Sequence, residues 1–231
     1  MALQQLKEAF ISLLFPPFCV GCGKEGSFLC GACQSSLTPL PPSHCRLCAD
    51  PRGKEGLCER CHQSPLHIEG IRSPYGFEGA IREAILHLKY RNLKAIAPVL
   101  GQLLYEYLKA RPIPGDVLVP VPLHTRRHRQ RGYNQSALIA RELGKLMGLT
   151  VEERILHRRI DTPAQTKVAG LEERKNNVKD VFYCKDPSLE ERRILLVDDV
   201  CTTGATLEAC SMALRDSGAL SVWAITVARE T

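Results

Sequence analysis

The run Ile194-Leu195-Leu196-Val197-Asp198-Asp199-Val200-Cys201-Thr202-Thr203-Gly204-Ala205-Thr206-Leu207 constrains the fold of this chain more than any other stretch. Its four leading apolar residues are too few for a helix and suit a strand buried on both faces, the habit of parallel sheets. Two carboxylates close the run, and a small hydroxyl-rich turn then opens a helix-patterned segment. Strand, turn and helix in that order form the unit of an open α/β sheet, in which ligands dock beyond the carboxyl ends of the strands. A turn at a helix N-terminus aims backbone N–H groups outward and suits a phosphate. Thr202, Thr203 and Thr206 add hydroxyl donors, and Gly204 lets the backbone come close. Asp198 and Asp199 can accept hydrogen bonds from sugar hydroxyls or hold Mg²⁺, directly or through water.

This block resembles the phosphoribosyl pyrophosphate (PRPP) motif of type I phosphoribosyltransferases. The resemblance implies that Asp198 and Asp199 contact the ribose hydroxyls. It implies that Thr202, Thr203, Gly204, Ala205 and Thr206 cradle the 5′-phosphate, with Mg²⁺ accompanying PRPP. Cys201 reads as a small packing residue.

The cysteines define a second region. Eight of the eleven lie between residues 19 and 61 as four C-x-x-C pairs, Cys19/Cys22, Cys30/Cys33, Cys45/Cys48 and Cys58/Cys61, separated by seven, eleven and nine residues. Such a pair brings two thiolates to one metal within a tight turn, and two pairs complete a tetrahedral site. Two structural Zn²⁺ ions follow, with no open coordination position for catalysis. Sequential pairing, Cys19/22 with Cys30/33 and Cys45/48 with Cys58/61, is favoured over an interleaved arrangement. Disulfides are the rival reading; they need an oxidising compartment, and no export signal is legible, so a cytoplasmic location is expected. An iron–sulfur cluster is the other rival. The head should span residues 1–66 and the α/β body residues 67–231, and chelation should unfold the head alone.

Charge separates the two. Residues 1–66 hold six Lys/Arg against five Asp/Glu, and the remainder 25 against 20, so five of the six excess positive charges belong to the body. Each zinc–tetrathiolate site would carry about −2, which lowers the formal total to about +2. An anionic ligand explains the body's excess, and the excess is too small to demonstrate nucleic-acid binding. No apolar run nears the ~20 residues of a membrane span.

Along the body, helical periodicity covers 80–90 and 93–110, strands are expected at 71–79, 116–122, 154–159 and 221–228, and a helix at 136–147. The most basic stretch, His124 to Arg131, holds four Arg and two His in eight residues. It reads as a loop whose Arg127 and Arg131 present forks to pyrophosphate oxygens. Gly132, Asn134 and Gln135 follow it directly. Lys89 could reach a ligand but reads better as part of a solvated face. Residues 160–178, with Gln165 and Arg174, read as a polar cover able to exclude water from a charged reaction centre.

Together, the C-x-x-C head, VPVPLHTRRHRQRGYNQ, the DTPAQ…LEERKNN run and VDDVCTTGAT resemble the ComF proteins over nearly the whole chain, in the same order. The resemblance implies a type I phosphoribosyltransferase-like parallel sheet flanked by helices, behind a small double zinc ribbon. It also implies a part in natural transformation, with single-stranded DNA and a DNA-uptake helicase as candidate partners. Two functions remain open. One is phosphoribosyl transfer to an acceptor that no residue identifies. The other is a non-catalytic module that uses the phosphoribosyl site to sense PRPP or to grip DNA.

Overall fold

The computed structural model describes residues 16–40, 45, 47–50, 56–63, 66–159, 181–184 and 189–230. Two short helices, α1 (Gly31–Ser35) and α2 (Glu59–Gln63), lie in the cysteine-rich region. Next come β1 (Gly70–Arg72), β2 (Tyr75–Gly76), α3 (Gly79–Tyr90) and α4 (Ala97–Ala110). They are followed by β3 (Val117–Pro120), α5 (Thr125–Arg131), α6 (Gln135–Met147), β4 (Thr150–Val151), β5 (Leu156–Arg158) and β6 (Phe182–Cys184). The last elements are β7 (Arg193–Cys201), α7 (Ala205–Asp216) and β8 (Ser221–Arg229).

The main sheet runs β1-β8-β7-β3-β4, with β2 continuing the β1 side of β8, and every pairing is parallel. Strand alternation decides which helices cover which face. Leu118, Leu195, Val197 and Ile225 share one core with Ile81, Ile85 and Leu88 of α3, Leu100 and Leu104 of α4, and Ile139 and Leu143 of α6. Val117, Val119, Ile194, Leu196 and Val222 face the other way, toward Leu207, Cys210 and Leu214 of α7. Each such side chain, fully buried, contributes roughly 2 kcal/mol. At Gly101 a Cβ would lie 2.7 Å from Glu142 Cβ, so α4 and α6 pack closer there than any side chain permits. The expected strand at 154–159 is only partly realised. β5 pairs antiparallel with β6 in a separate ribbon, outside the main sheet.

The cysteine pairs group sequentially into two sets, Cys19/22/30/33 and Cys45/48/58/61. Each set is a knuckle followed by a short helix. The Gly23 amide donates to the Cys19 carbonyl (2.7 Å), and the Ala49 amide donates likewise to Cys45 (2.8 Å). Gly23 and Ala49, each just after a C-x-x-C, both take the left-handed conformation, at φ 74° and 56°. That conformation is natural for glycine and strained for alanine.

The two sets pack on opposite faces of the sheet. Cys19, Leu29 and Leu37 join the α3/α4/α6 core, whereas all four cysteines of the second set join the α7 core. Residues 38–40 and 47 lie along the β1/β2 edge. Leu40 N donates to Pro74 O, Gly76 N to Thr38 O and Ile71 N to Leu47 O, and Pro39 bridges to Tyr75. No described helix is long and apolar enough to cross a membrane.

Candidate functional site

β7 does not stop before the acids, as the sequence suggests, but runs through both of them to Cys201. β8 stays paired with it throughout, from Asp198↔Thr226 to Cys201↔Arg229. β3, on the other flank, ends at Pro120↔Val197. Val121 N makes one more bond, to Val197 O (3.0 Å), and Pro122 then has no N–H to offer. The carboxylates therefore lie where one neighbour of β7 has fallen away.

Side chains from two helices fill that opening. Asp198 Oδ1 accepts from Ser136 Oγ at the start of α6 (2.7 Å) and from the Asp199 amide (2.9 Å). Asp199 Oδ1 pairs with Lys89 Nζ at the end of α3 (2.8 Å), while Asp199 Oδ2 is buried without a hydrogen-bond partner among the described residues. Burial and the adjacent Asp199 charge push the Asp198 carboxyl up to about 7, against the pull of Ser136, the Asp199 amide and Lys89.

The turn beyond is open. Thr202, Thr203, Ala205 and Thr206 are exposed. Gly204, at φ 80°, is the residue before α7 and supplies the left-handed bend that a side chain would resist. Thr203 Oγ1 accepts from the Ala205 amide (3.3 Å), which sets the first turn of α7.

The basic stretch, expected as a loop, folds as α5. His124 Nδ1 accepts from the Arg126 amide (3.1 Å) at its start, and left-handed Gly132 ends it. A charge-rich segment becomes helical here because both ends are capped, and no α5 residue is buried. Arg131 donates to Gln135 Oε1, and its guanidinium lies 5.4 Å from the centre of the Tyr90 ring. Asn134 caps α6 through Ser136 N (3.0 Å) and donates to Val121 O (2.9 Å). Gly132, Asn134 and Gln135 thus shape the corner that aims Ser136 at Asp198. A cavity of about 330 Å³ beside it is lined by Lys89, Tyr90, Asn92, Arg127, Arg131 and Tyr133. Lys89 so belongs both to this basic cavity and to the acid pair. Gln165 and Arg174 lie outside the described residues.

Three residues at this end of β7 and β8 escaped the sequence reading or were discounted by it. Lys89 is not on a solvated face: its side chain is 19% exposed and held by Asp199. A signal existed, because Lys89 follows Ile85 by one helical turn and sits at the margin of the buried stripe of α3. Ser136 and Arg229 carry no local signal. Lys89→Met should lower stability by about 2 kcal/mol in urea unfolding, because Asp199 is left buried without its cation.

Each cysteine set fits Zn²⁺. All four ligand atoms lie within 4.8 Å of one another, with Cys22–Cys30 and Cys48–Cys58 Sγ separations of 3.6 Å. Zinc–sulfur bonds of about 2.3 Å in a tetrahedron place sulfurs roughly 3.8 Å apart, whereas a disulfide needs about 2 Å. Burial opposes ionisation of Cys19, yet the amides of Cys30, Cys22 and Gly21 outweigh it and bring the thiol down to about 6. Cys45 is brought down to about 7 in the same way, by the amides of Cys48, Cys58 and Leu47 against its burial. The backbone thus favours the thiolate at Cys19 and Cys45, whereas the hydrogen bond to Cys19 pushes Cys33 up to about 12 and burial pushes Cys48 and Cys61 up.

Comparison with known proteins gives matching results. Residues 10–62 match the double zinc ribbon domain family. The chain is 32% identical to the DNA utilization protein YhgH of Salmonella typhi, over 84% of this chain and 87% of that one. It is 30% identical to competence protein F of Haemophilus influenzae, over 90% and 89%. It is 29% identical to competence protein ComFC of Bacillus subtilis, over 89% and 86%. Among solved structures, the glutamine PRPP amidotransferase of B. subtilis aligns with a TM-score of 0.41 at 19% identity, over 56% of this chain and 26% of that one. A purine phosphoribosyltransferase of Pyrococcus horikoshii aligns at 0.36 and 18%, over 56% and 70%.

Proposed function

This chain belongs to the ComF family, with the competence proteins and the DNA utilization protein YhgH, and from that premise we propose that it binds PRPP with Mg²⁺ and transfers its phosphoribosyl group in the service of DNA uptake. The observation that carries the reading is the juxtaposition of an acid pair with an open threonine-lined turn at one strand end. The buried, partnerless Asp199 Oδ2 supports it, since a sugar hydroxyl would supply the missing donor.

In this reading the exposed amides of the turn and the hydroxyls of Thr202, Thr203 and Thr206 hold the 5′-phosphate. Asp198 and Asp199 accept from the ribose hydroxyls and fix the ring. Lys89, Arg127 and Arg131, around one cavity, receive the pyrophosphate. When bound, Mg²⁺ neutralises part of the ligand's charge, and Asp198 and Asp199 are the oxygen donors placed near it. The C1–oxygen bond to pyrophosphate breaks as an acceptor attacks C1. The chain's share is position and electrostatics, with the arginine forks taking up the departing charge. Among the described residues none stands out as a base for the acceptor, and the acceptor's class is left to experiment. Calorimetry with PRPP and Mg²⁺ tests the binding, and base-dependent release of pyrophosphate tests the transfer.

The pH dependence of binding follows from Asp198. Its carboxyl titrates near 7, and only the ionised form accepts from both ribose hydroxyls and the Ser136 hydroxyl. Affinity should therefore rise from pH 6 to pH 8, by roughly tenfold for one proton displaced over that window. A flat calorimetric profile would remove Asp198 from the ribose contact.

One observation favours the module reading in its own right. α5 turns no residue inward, so Arg126, Arg127 and Arg129 are free to track a phosphate backbone. Gel retardation of single strands that weakens steeply with salt, and is abolished by Arg127→Ala with Arg131→Ala, would support DNA handling without transfer. The zinc ribbon would then be the face offered to DNA or to a helicase.

A further inference from the structure

Arg229 closes β8 and is 2% exposed, among the largest fully buried side chains of the protein. Its Nη1 donates to the Cys48 carbonyl and lies 3.1 Å from Cys201 Sγ, and its Nη2 lies 3.8 Å from Asp50 Oδ2. These contacts come from two separate places. Cys48 is a ligand of the second cysteine set. Asp50 is built into the same knuckle, its carbonyl accepting from the Cys45 amide (2.9 Å). Cys201 is the last residue of β7 and leads directly into Thr202, and its carbonyl accepts from Glu230 N (2.9 Å).

A guanidinium is a poor choice for sealing a core, because its charge must be taken out of water. Here it has two compensations. One is the Asp50 carboxylate; the other is the net negative charge of a zinc–tetrathiolate site whose ligand carbonyl it holds. Its Nη1 faces Cys48 and Cys201 together while Nη2 faces Asp50, three directions that the shorter side chain and single ammonium of a lysine would not meet at once.

We infer that Arg229 is a positioning residue that ties the second zinc site to the phosphate-cradling turn, so that the setting of residues 202–206 depends on the integrity of that site. The inference rests on the proposed role of the turn for its consequence in binding, but not for its test. The Asp198–Asp199 pair stays anchored through Ser136 and Lys89. The link therefore acts on the phosphate end of the ligand and leaves the ribose end in place.

The full-length zinc-loaded protein is compared with Arg229→Gln, Arg229→Lys and, as a control, Arg193→Gln. Arg193 bridges to Asp116 at the opposite end of β7 and has no contact with the turn. Without any ligand, two quantities are read: amide exchange of residues 203–207, and the rate at which zinc passes to a chromogenic chelator. Arg229→Gln should speed turn exchange at least tenfold and release one of the two zinc ions at least tenfold faster. Arg229→Lys keeps the charge and should restore zinc retention, while turn exchange stays fast. Arg193→Gln should move neither. Turn exchange at the wild-type rate in Arg229→Gln, or equal acceleration in Arg193→Gln, overturns the link. Should Arg229→Gln fail to fold, Asp50→Asn should speed turn exchange about threefold, and an unchanged rate overturns it there.

A calorimetric titration with ribose 5-phosphate adds the ligand arm, in which Arg229→Gln should bind at least tenfold more weakly. If wild type does not bind that probe, the proposed function fails while the exchange and zinc readouts still decide the link.

Discussion

Asp198→Asn should give a protein that melts higher than wild type at pH 8 and binds PRPP with Mg²⁺ at least 100-fold more weakly. The two effects share one cause. In the wild type, burial and the neighbouring Asp199 carboxylate hold the Asp198 proton up to about 7. The folded state therefore binds more protons than the unfolded chain between pH 4 and 7, and stability falls as pH rises through that window. Asparagine keeps an oxygen that can accept from Ser136 Oγ and from the Asp199 amide but removes the charge. About 1–2 kcal/mol should return at pH 8, or about 3–6 °C in melting temperature for a chain of this size. The gain should vanish below pH 4, where Asp198 becomes protonated in both states. Binding moves the other way because a neutral amide is a weaker acceptor for ribose hydroxyls and a weaker, uncharged oxygen ligand for Mg²⁺. Differential scanning calorimetry across pH, with titration calorimetry at pH 8, reads both. A variant that binds normally would dissociate the acid pair from the ribose, and one that melts lower would mean the pair is not strained.

Zinc removal carries the largest expected effect on stability. From sequence alone the head should unfold by itself under chelation. The packing gives a different expectation for its second half. Cys45, Cys48, Cys58 and Cys61 share one core with Ile194, Leu196 and Val222 of the sheet and Leu207 and Leu214 of α7. Without the ion, four buried thiols lose the bonds that hold them together, and a structural zinc is worth about 10 kcal/mol to the fold it closes. Loss of both ions should therefore cost the α/β body at least about 4 kcal/mol, enough to bring its cooperative transition down by ten degrees or more. Circular dichroism melts at stepwise chelator concentrations, with zinc per chain measured alongside, decide this. A body transition indifferent to zinc content would show that the shared core does not couple the two.

What the sequence made legible was whatever is written within a few neighbouring residues. The cysteine sites could be read because each pair is a local turn, and sequential pairing needs only that adjacent turns meet. The strand–acid–turn–helix unit was readable for the same reason, although the length of β7 was not. That length is set by β8 continuing on one side and by Pro122 halting β3 on the other. The basic run was misread as a loop because charge density hid two good caps, His124 and Gly132. The contacts between distant residues were the hardest. Ser136 stands 62 residues from Asp198, and Arg229 stands 181 from Cys48. No pattern in one dimension announces such contacts; they exist only once the sheet has brought α3, α6 and β8 to one end of β7.

The contacts of residues 38–40 and 47 with the margin formed by β1 and β2 have a consequence for solubility. Those two strands are short, and the amides of Ile71 and Gly76 and the carbonyl of Pro74 between them are occupied by Leu47, Thr38 and Leu40. A sheet margin that is already taken cannot recruit a strand from another molecule. Trimming the chain before β1 would uncover it and leave a species prone to strand-by-strand aggregation. Attempts to produce the α/β body alone should therefore yield insoluble material.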